Sequence, residues 1–179
     1  VGKALDNGLK IIQYRDKRIS NEEFEKNALK IKEIISNRAL LIINDYADIA
    51  KNIGADGLHI GQDDISLKKA RMVFDGIIGV SASSYDEAMT AYRDGADYIG
   101  VGPIFPTSTK SGAGAPLGPE SLARIRSSID VPLVAIGGIN EDNIKGIVSF
   151  SDMFAAMSSI LSYNDIDSRI SLFKEILGE

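Results

Sequence analysis

Apolar residues dominate short runs along this chain, at residues 9–14, 40–44, 57–60, 77–80, 98–101, 133–136 and 153–157, each followed by a stretch of mixed polarity. Runs that stay apolar instead of alternating predict parallel strands covered on both faces. Between the first two runs, Phe24, Ala28, Ile31 and Ile35 recur at helical spacing and predict a helix over 21–35. Ser20, with Glu23 three residues later, has the layout of a capping box for that helix. Residues 85–93 carry a second amphipathic pattern, and Gly54, Gly95 and Gly146 fall where helix ends call for a left-handed residue. Strand–helix units repeating every two dozen residues or so imply an α/β fold, either an open doubly wound sheet or a closed eight-stranded barrel.

In both architectures ligands bind beyond the carboxyl ends of the strands, so the residues after each run carry the chemistry. Here they are Gln13, Arg15 and Lys17; Asn44 and Asp45; Gly61, Gln62, Asp63 and Asp64; Ser81; a long loop over 97–118; Gly137, Gly138, Ile139 and Asn140; and Ser158 with Ser159. Any single Asp or Asn among them also serves as a helix cap, but seven polar strand ends together point to one binding task. In the long loop, Thr107, Ser108 and Thr109 offer hydroxyl donors and Lys110 a point charge. The Ser111-Gly112-Ala113-Gly114-Ala115 tail lets the backbone hinge, so the loop reads as an anion-gripping lid or, more plainly, as a surface loop.

Arg15 and Lys17 alternate along an extended segment and share a face, so both can grip one polyanion or else pair with surface carboxylates, while Asp16 points away. Asp45 and Asp64 end neighbouring strands, where two carboxylates can hold one Mg²⁺ or simply cap helices; Asp63 competes with Asp64. Gly137-Gly138 before a helix start, with Ser158 and Ser159, reads as a monophosphate site or as a point of close packing. One strongly basic, metal-assisted anion site and one milder dipolar site suit a diphosphate-bearing and a monophosphate-bearing substrate.

Composition narrows the choice. A chain of 179 residues suffices for one domain spanning 1–179, and its net charge of −5 disfavours nucleic acid or an anionic membrane as partner. The absence of cysteine excludes disulfides and thiolate metal sites. His59, the only histidine, falls inside a predicted strand and is read as structural, which rules out a Ser-His-Asp set. Neither a G-x-x-x-x-G-K-[ST] loop nor a G-x-G-x-x-G after the first run is present. No run has the length and apolarity of a membrane span, and residues 1–10 lack a signal-peptide layout, so a cytoplasmic protein is expected.

Across nearly the whole chain these residues resemble the thiamine-phosphate synthase family. Gln13-Tyr14-Arg15-Asp16-Lys17 is similar to its Q-x-R-x-K, Asn44-Asp45 to its N-D, and the stretch from Gly57 through His59 and Gln62 to Asp64 to its G-x-H-x-G-Q-x-D. Gly79-Val80-Ser81 resembles its G-V-S, residues 95–110 its G-A-D-Y-x-G-x-G-P-x-x-P-T-x-T-K, and Gly137-Gly138 its diglycine. The resemblance implies a (β/α)₈ TIM barrel that joins a hydroxymethylpyrimidine diphosphate to a thiazole phosphate, giving thiamine phosphate and pyrophosphate. It implies pyrimidine-diphosphate contacts at Gln13, Tyr14, Arg15, Asp16, Lys17, Asn44, Ser81 and Lys110. It assigns Mg²⁺ to Asp45 and Asp64, choosing Asp64 over Asp63 by family position, and the thiazole phosphate to Thr107, Thr109, Gly138, Met157 and Ser158, with Ser108 a further substrate contact.

The implied chemistry is loss of pyrophosphate to a pyrimidinyl methylene cation, which the thiazole nitrogen captures without a protein nucleophile. Removing one of Arg15, Lys17 or Lys110, which with Ser81 make up the expected catalytic set, would then cost ~3 kcal/mol, on the order of a hundredfold in rate. The family pattern opens with a strand and helix before Q-x-R-x-K, so a barrel lacking its first strand is expected here, through truncation, degeneration or incompleteness. Its two unpaired edges would cost stability or invite pairing with another chain, so a homo-oligomer is an option. Ser83 stands where many relatives carry the histidine that the paralogous thiazole tautomerase uses, which speaks against that activity; a non-catalytic binder of thiazole phosphate or thiamine phosphate is the other alternative.

Overall fold

A computed structural model describes residues 1–107, 109 and 114–178. Ser108, Lys110 and residues 111–113 of the expected lid lie outside the described residues. Seven strands alternate with helices: β1 (Ile11–Tyr14), β2 (Leu40–Asn44), β3 (Gly57–Ile60), β4 (Ile77–Ala82), β5 (Tyr98–Val101), β6 (Leu133–Ile136) and β7 (Met153–Ala155). They follow chain order in a seven-stranded sheet, and the pairs β1–β2, β2–β3, β5–β6 and β6–β7 are parallel. The fold is therefore α/β with a parallel seven-stranded sheet, reached from the expectation of an eight-stranded barrel short of its first strand.

All seven apolar runs form strands, with differences at three ends. β1 begins at Ile11, not Leu9, because Leu9 N–H still donates to Ala4 O (3.1 Å) at the end of α1 (Gly2–Asp6). β4 runs on to Ala82, whose carbonyl accepts from Gly102 N–H (3.0 Å). β7 stops at Ala155, since Met157 already accepts the first turn bonds of α7 (Ser158–Leu161).

Helix α2 (Asn21–Ile35) starts where Ser20 Oγ accepts from Glu23 N–H at 3.2 Å, and it buries Phe24, Ala28 and Ile35. Gly54 and Gly95 have φ of +62° and +86°. Gly146 does not: it ends a single 3₁₀ turn (Ile144–Gly146), in which i→i+3 bonds such as Gly146 N–H to Asn143 O keep the backbone right-handed.

The chain forms two compact units, Val1–Gly79 and Val80–Glu179. The first holds α3 (Ala47–Asn52) and α4 (Leu67–Val73), and its buried side chains include Phe24, Leu41, Ile43, Leu58 and Ile60. The second holds α5 (Tyr85–Arg93), α6 (Gly118–Arg126) and α8 (Ile166–Leu177), with Ile99, Leu122, Ile125, Leu133 and Phe173 in its core. Burying each such side chain stabilises its unit by about 1.5–3 kcal/mol.

One device recurs in both. Asp56 N–H donates to Leu41 O (3.1 Å) while its Oδ2 accepts from Leu41 N–H (2.8 Å). Asp152 treats Leu133 the same way, at 3.0 and 2.8 Å. A carboxylate just before a strand thus extends the ladder by one rung and locks the register that sets its carboxyl end beside its neighbour's.

Candidate functional site

The first unit builds its site from the ends of β1, β2 and β3. The Tyr14 ring stacks on Phe24 at 4.4 Å, and Phe24 packs on Tyr46 at 4.7 Å. This ladder ties the β1 exit to the residue after Asp45 and holds the half-buried Tyr14 ring in place. Its neighbours Gln13 and Arg15 are exposed, as strand alternation requires. Asp16 is committed to a local turn, its Oδ1 accepting from Arg18 N–H at 2.9 Å.

Beyond that turn Lys17 Nζ reaches Asp45 Oδ2 at 2.8 Å. Asp45 is held at φ +69°, a left-handed conformation that Asp adopts more readily than most residues, and its N–H donates to His59 O at 2.8 Å. Asp64 Oδ2 accepts from Gly61 N–H at 2.7 Å, and its carboxyl lies in hydrogen-bonding contact with Asp45. Asp63 is exposed. Geometry therefore pairs Asp64, rather than its neighbour, with Asp45. Burial and then the Asp64 carboxyl raise the Asp45 pKa, with Lys17 opposing; the bond to Asp45 raises that of Lys17. Asn44 and His59 are buried side by side in the β2–β3 register.

Among the described residues no three His, Cys, Asp or Glu cluster as a complete metal cage. The Asp45–Asp64 pair still suits an ion that takes one or two carboxylates and completes its shell with water and phosphate oxygens, and such an ion would relieve the repulsion between them. Asp45, Asp64, Ser66 and Lys69 line an adjacent cavity of about 500 Å³.

The second unit offers another cavity, of about 490 Å³, lined by Thr107, Thr109, Gly138, Ser158 and Ser159 among others. Thr109 N–H donates to Thr107 Oγ1 (3.2 Å) and its hydroxyl to Ser158 Oγ (3.3 Å). The loop carrying both threonines closes at its base, where Leu117 N–H donates to Pro103 O (2.8 Å) and Gly118 N–H to Ile104 O (3.1 Å). Met157 is exposed beside Ser158. Ser81 is half-buried on β4.

Gly137 and Gly138 have φ of +95° and +65°. A Cβ on the first would sit 2.6 Å from Pro103 Cα, and one on the second 2.8 Å from Phe105 O, so close packing alone demands glycine at both. The expected helix start does not follow. Asn140 N–H instead donates to Asn143 Oδ1 (2.9 Å) and Asn143 Nδ2 to Gly138 O (2.9 Å), so side chains take the groups a helical ladder would need. Ser83 N–H and Oγ both donate to Glu87 Oε2, at 2.7 and 2.9 Å.

Two residues of this region went unread in the sequence. Arg169 on α8 pairs with Glu141 through both nitrogens, and that pairing holds the Glu141 carboxyl at a pKa of about 2. Their only sequence signal is an arginine set directly before buried Ile170.

Residues 1–160 match the family model described as thiamine monophosphate synthase. A thiamine-phosphate synthase of Methanosarcina barkeri is 40% identical over 180 residues, covering 99% of this chain and 82% of its own. One of Clostridium acetobutylicum is 43% identical over 181 residues, covering 99% and 85%. The solved thiamine phosphate pyrophosphorylase of Pyrococcus furiosus superimposes with a TM-score of 0.90 at 31% identity, over 99% of this chain and 87% of that one. A 3-hexulose-6-phosphate synthase matches at 0.74 and 16% identity, over 98% and 90%, a likeness of fold alone.

Proposed function

The chain belongs to the thiamine monophosphate synthase family, and on that premise we propose that it condenses 4-amino-2-methyl-5-(diphosphooxymethyl)pyrimidine with 4-methyl-5-(2-phosphooxyethyl)thiazole, releasing thiamine phosphate and pyrophosphate in the cytoplasm. The observation that carries the assignment of the pyrimidine diphosphate is the Lys17–Asp45–Asp64 cluster: a half-exposed cation and two crowded carboxylates at adjoining strand ends. Asp45 and Asp64 would hold Mg²⁺, which when bound neutralises charge on the departing diphosphate.

The protein's own groups then act by charge and position. Lys17 and Arg15 present positive charge to the leaving group, and both are exposed enough to reach it. Gln13, Asn44 and Ser81 hold the pyrimidine end by hydrogen bonds. Lys110, outside the described residues, adds a further cation from the loop. Departure of pyrophosphate breaks the C–O bond and leaves a methylene cation; the thiazole nitrogen supplies the electron pair for the new C–N bond. Thr107, Thr109, Gly138, Met157 and Ser158, with Ser108, take the thiazole phosphate, the hydroxyls donating to its oxygens. Ser83, whose hydroxyl is bound to Glu87, brings no imidazole for a tautomerase.

Pyrophosphate release, measured with both substrates and Mg²⁺, tests this reading. Release that requires all three supports it. Binding of thiazole phosphate with no release would make the chain a binder instead.

A further inference from the structure

Arg169 lies beyond the last residue that the family model matches, yet it joins three parts of the pocket in the second unit. Its Nη1 and Nη2 donate to Glu141 Oε1 and Oε2 at 2.9 and 2.6 Å, the two-pronged geometry that guanidinium and carboxylate share. Its Nε donates to Ser159 O at 2.9 Å, and its guanidinium lies 4.1 Å from the centroid of the Tyr163 ring. Glu141, Ser159 and Tyr163 all line the cavity that also carries Thr107, Thr109 and Gly138.

The arginine side chain is only 12% exposed, so most of its length is taken from water to make these bonds. All three of its nitrogens are engaged by protein. It braces the cavity by holding wall residues rather than by offering its own charge. What it braces matters, because Ser159 Oγ is buried without a hydrogen-bond partner among the described residues. A desolvated hydroxyl left unpaired is unfavourable, and a ligand oxygen in the cavity would satisfy it.

We propose that Arg169 is a positioning residue for the monophosphate-bearing substrate: from α8 it fixes the Glu141 turn and Ser159 in the short helix α7 together, so that the Ser159 hydroxyl donates to the phosphate. This rests on the reading that the Thr107–Ser158 cavity takes the thiazole phosphate. Lysine cannot replace the fork, since a single ammonium cannot span both carboxylate oxygens and the Ser159 carbonyl in fixed directions.

Steady-state kinetics on the full chain, each substrate varied in turn, tests the proposal with Arg169→Met, Arg169→Lys, Glu141→Gln and Ser159→Ala, and with Thr109→Val as a control on the cavity itself. Arg169→Met and Ser159→Ala should each raise the KM for thiazole phosphate about tenfold, by more than any fall in kcat, and leave the KM for the pyrimidine diphosphate unchanged. Arg169→Lys should recover only part of the loss. The double variant Arg169→Met/Ser159→Ala should be no worse than the first alone, because one effect runs through the other.

Equal increases in both KM values, accompanied by a lower Tm, would reduce Arg169 to a structural prop and overturn the proposal, as would additive losses. If Thr109→Val raises the thiazole-phosphate KM and Arg169→Met does not, the proposal alone falls. If neither does, the assignment of the cavity falls with it. Should Arg169→Met fail to fold, Glu141→Gln, which keeps shape and loses the charge, must show the same selective rise for the proposal to stand.

Discussion

Lys17 Nζ lies 2.8 Å from Asp45 Oδ2, and the same Asp45 carboxyl is in hydrogen-bonding contact with Asp64. One basic and two acidic groups thus share a small space at adjoining strand ends. Burial and the Asp64 carboxyl together outweigh the cation, so the Asp45 pKa remains raised. The cluster favours binding of a further positive charge over stability of the empty protein.

Asp64→Asn separates those two properties. Asparagine keeps an oxygen to accept from Gly61 N–H but removes the like charge beside Asp45. A raised carboxylate pKa contributes stability that is present below the ordinary value of 3.8 and is lost as pH rises through the raised one. Removing the Asp64 charge, the second contributor after burial, should therefore increase metal-free stability at pH 7, by about 1 kcal/mol or less. Thermal unfolding with and without Mg²⁺ checks both halves: a higher Tm without the ion, and no added stabilisation with it.

Lys17→Ala should lower kcat by about a hundredfold, the loss expected when one donor to developing negative charge is removed. Single-turnover pyrophosphate release reads this directly. Lys17→Arg should recover much of the rate, as charge is the property required.

Gly138→Ala should destabilise the second unit by about 3 kcal/mol, combining left-handed strain with displacement of the Phe105 carbonyl. That corresponds to a fall in Tm of roughly 10 °C for a chain of this size. Gly95→Ala, equally left-handed but with open space around it, should cost only about 1 kcal/mol.

Glu141 titrates the other way from Asp45. Its pKa is lowered from 4.5 to about 2 by Arg169, so the stabilisation is complete above pH 4.5 and is lost as pH falls toward 2. Acid unfolding of Glu141→Gln should begin from lower stability at pH 6 and show a shallower decline across that window, followed by tryptophan-free probes such as far-UV circular dichroism.

Much of this was readable from residue order. Mostly apolar, non-alternating runs place the strands because a parallel sheet covered on both faces has no polar side to record. Ser20 and Glu23 place the start of α2 through one local hydrogen bond. Gly146 and the helix start expected after the diglycine were misjudged for one reason: a glycine announces conformational freedom without saying what uses it. At Gly146 nothing does, and at Gly138 a neighbouring loop does. Spacing could not rank Asp63 against Asp64, because the deciding bond, Gly61 N–H to Asp64, depends on how the turn is wound. Tyr14 shared a motif with cationic neighbours, yet alternation turns it toward Phe24. Arg169 and Glu141 are 28 residues apart, and nothing local to either names its partner.

The backbone at Asp45 decides which replacement there is informative. At φ +69°, alanine would add torsional discomfort to the missing charge, and any drop in output would blend the two. Asparagine tolerates the same twist, so Asp45→Asn reports the electrostatic loss by itself. Scanning the strand ends with alanine would overrate this one position for a reason unrelated to its chemistry.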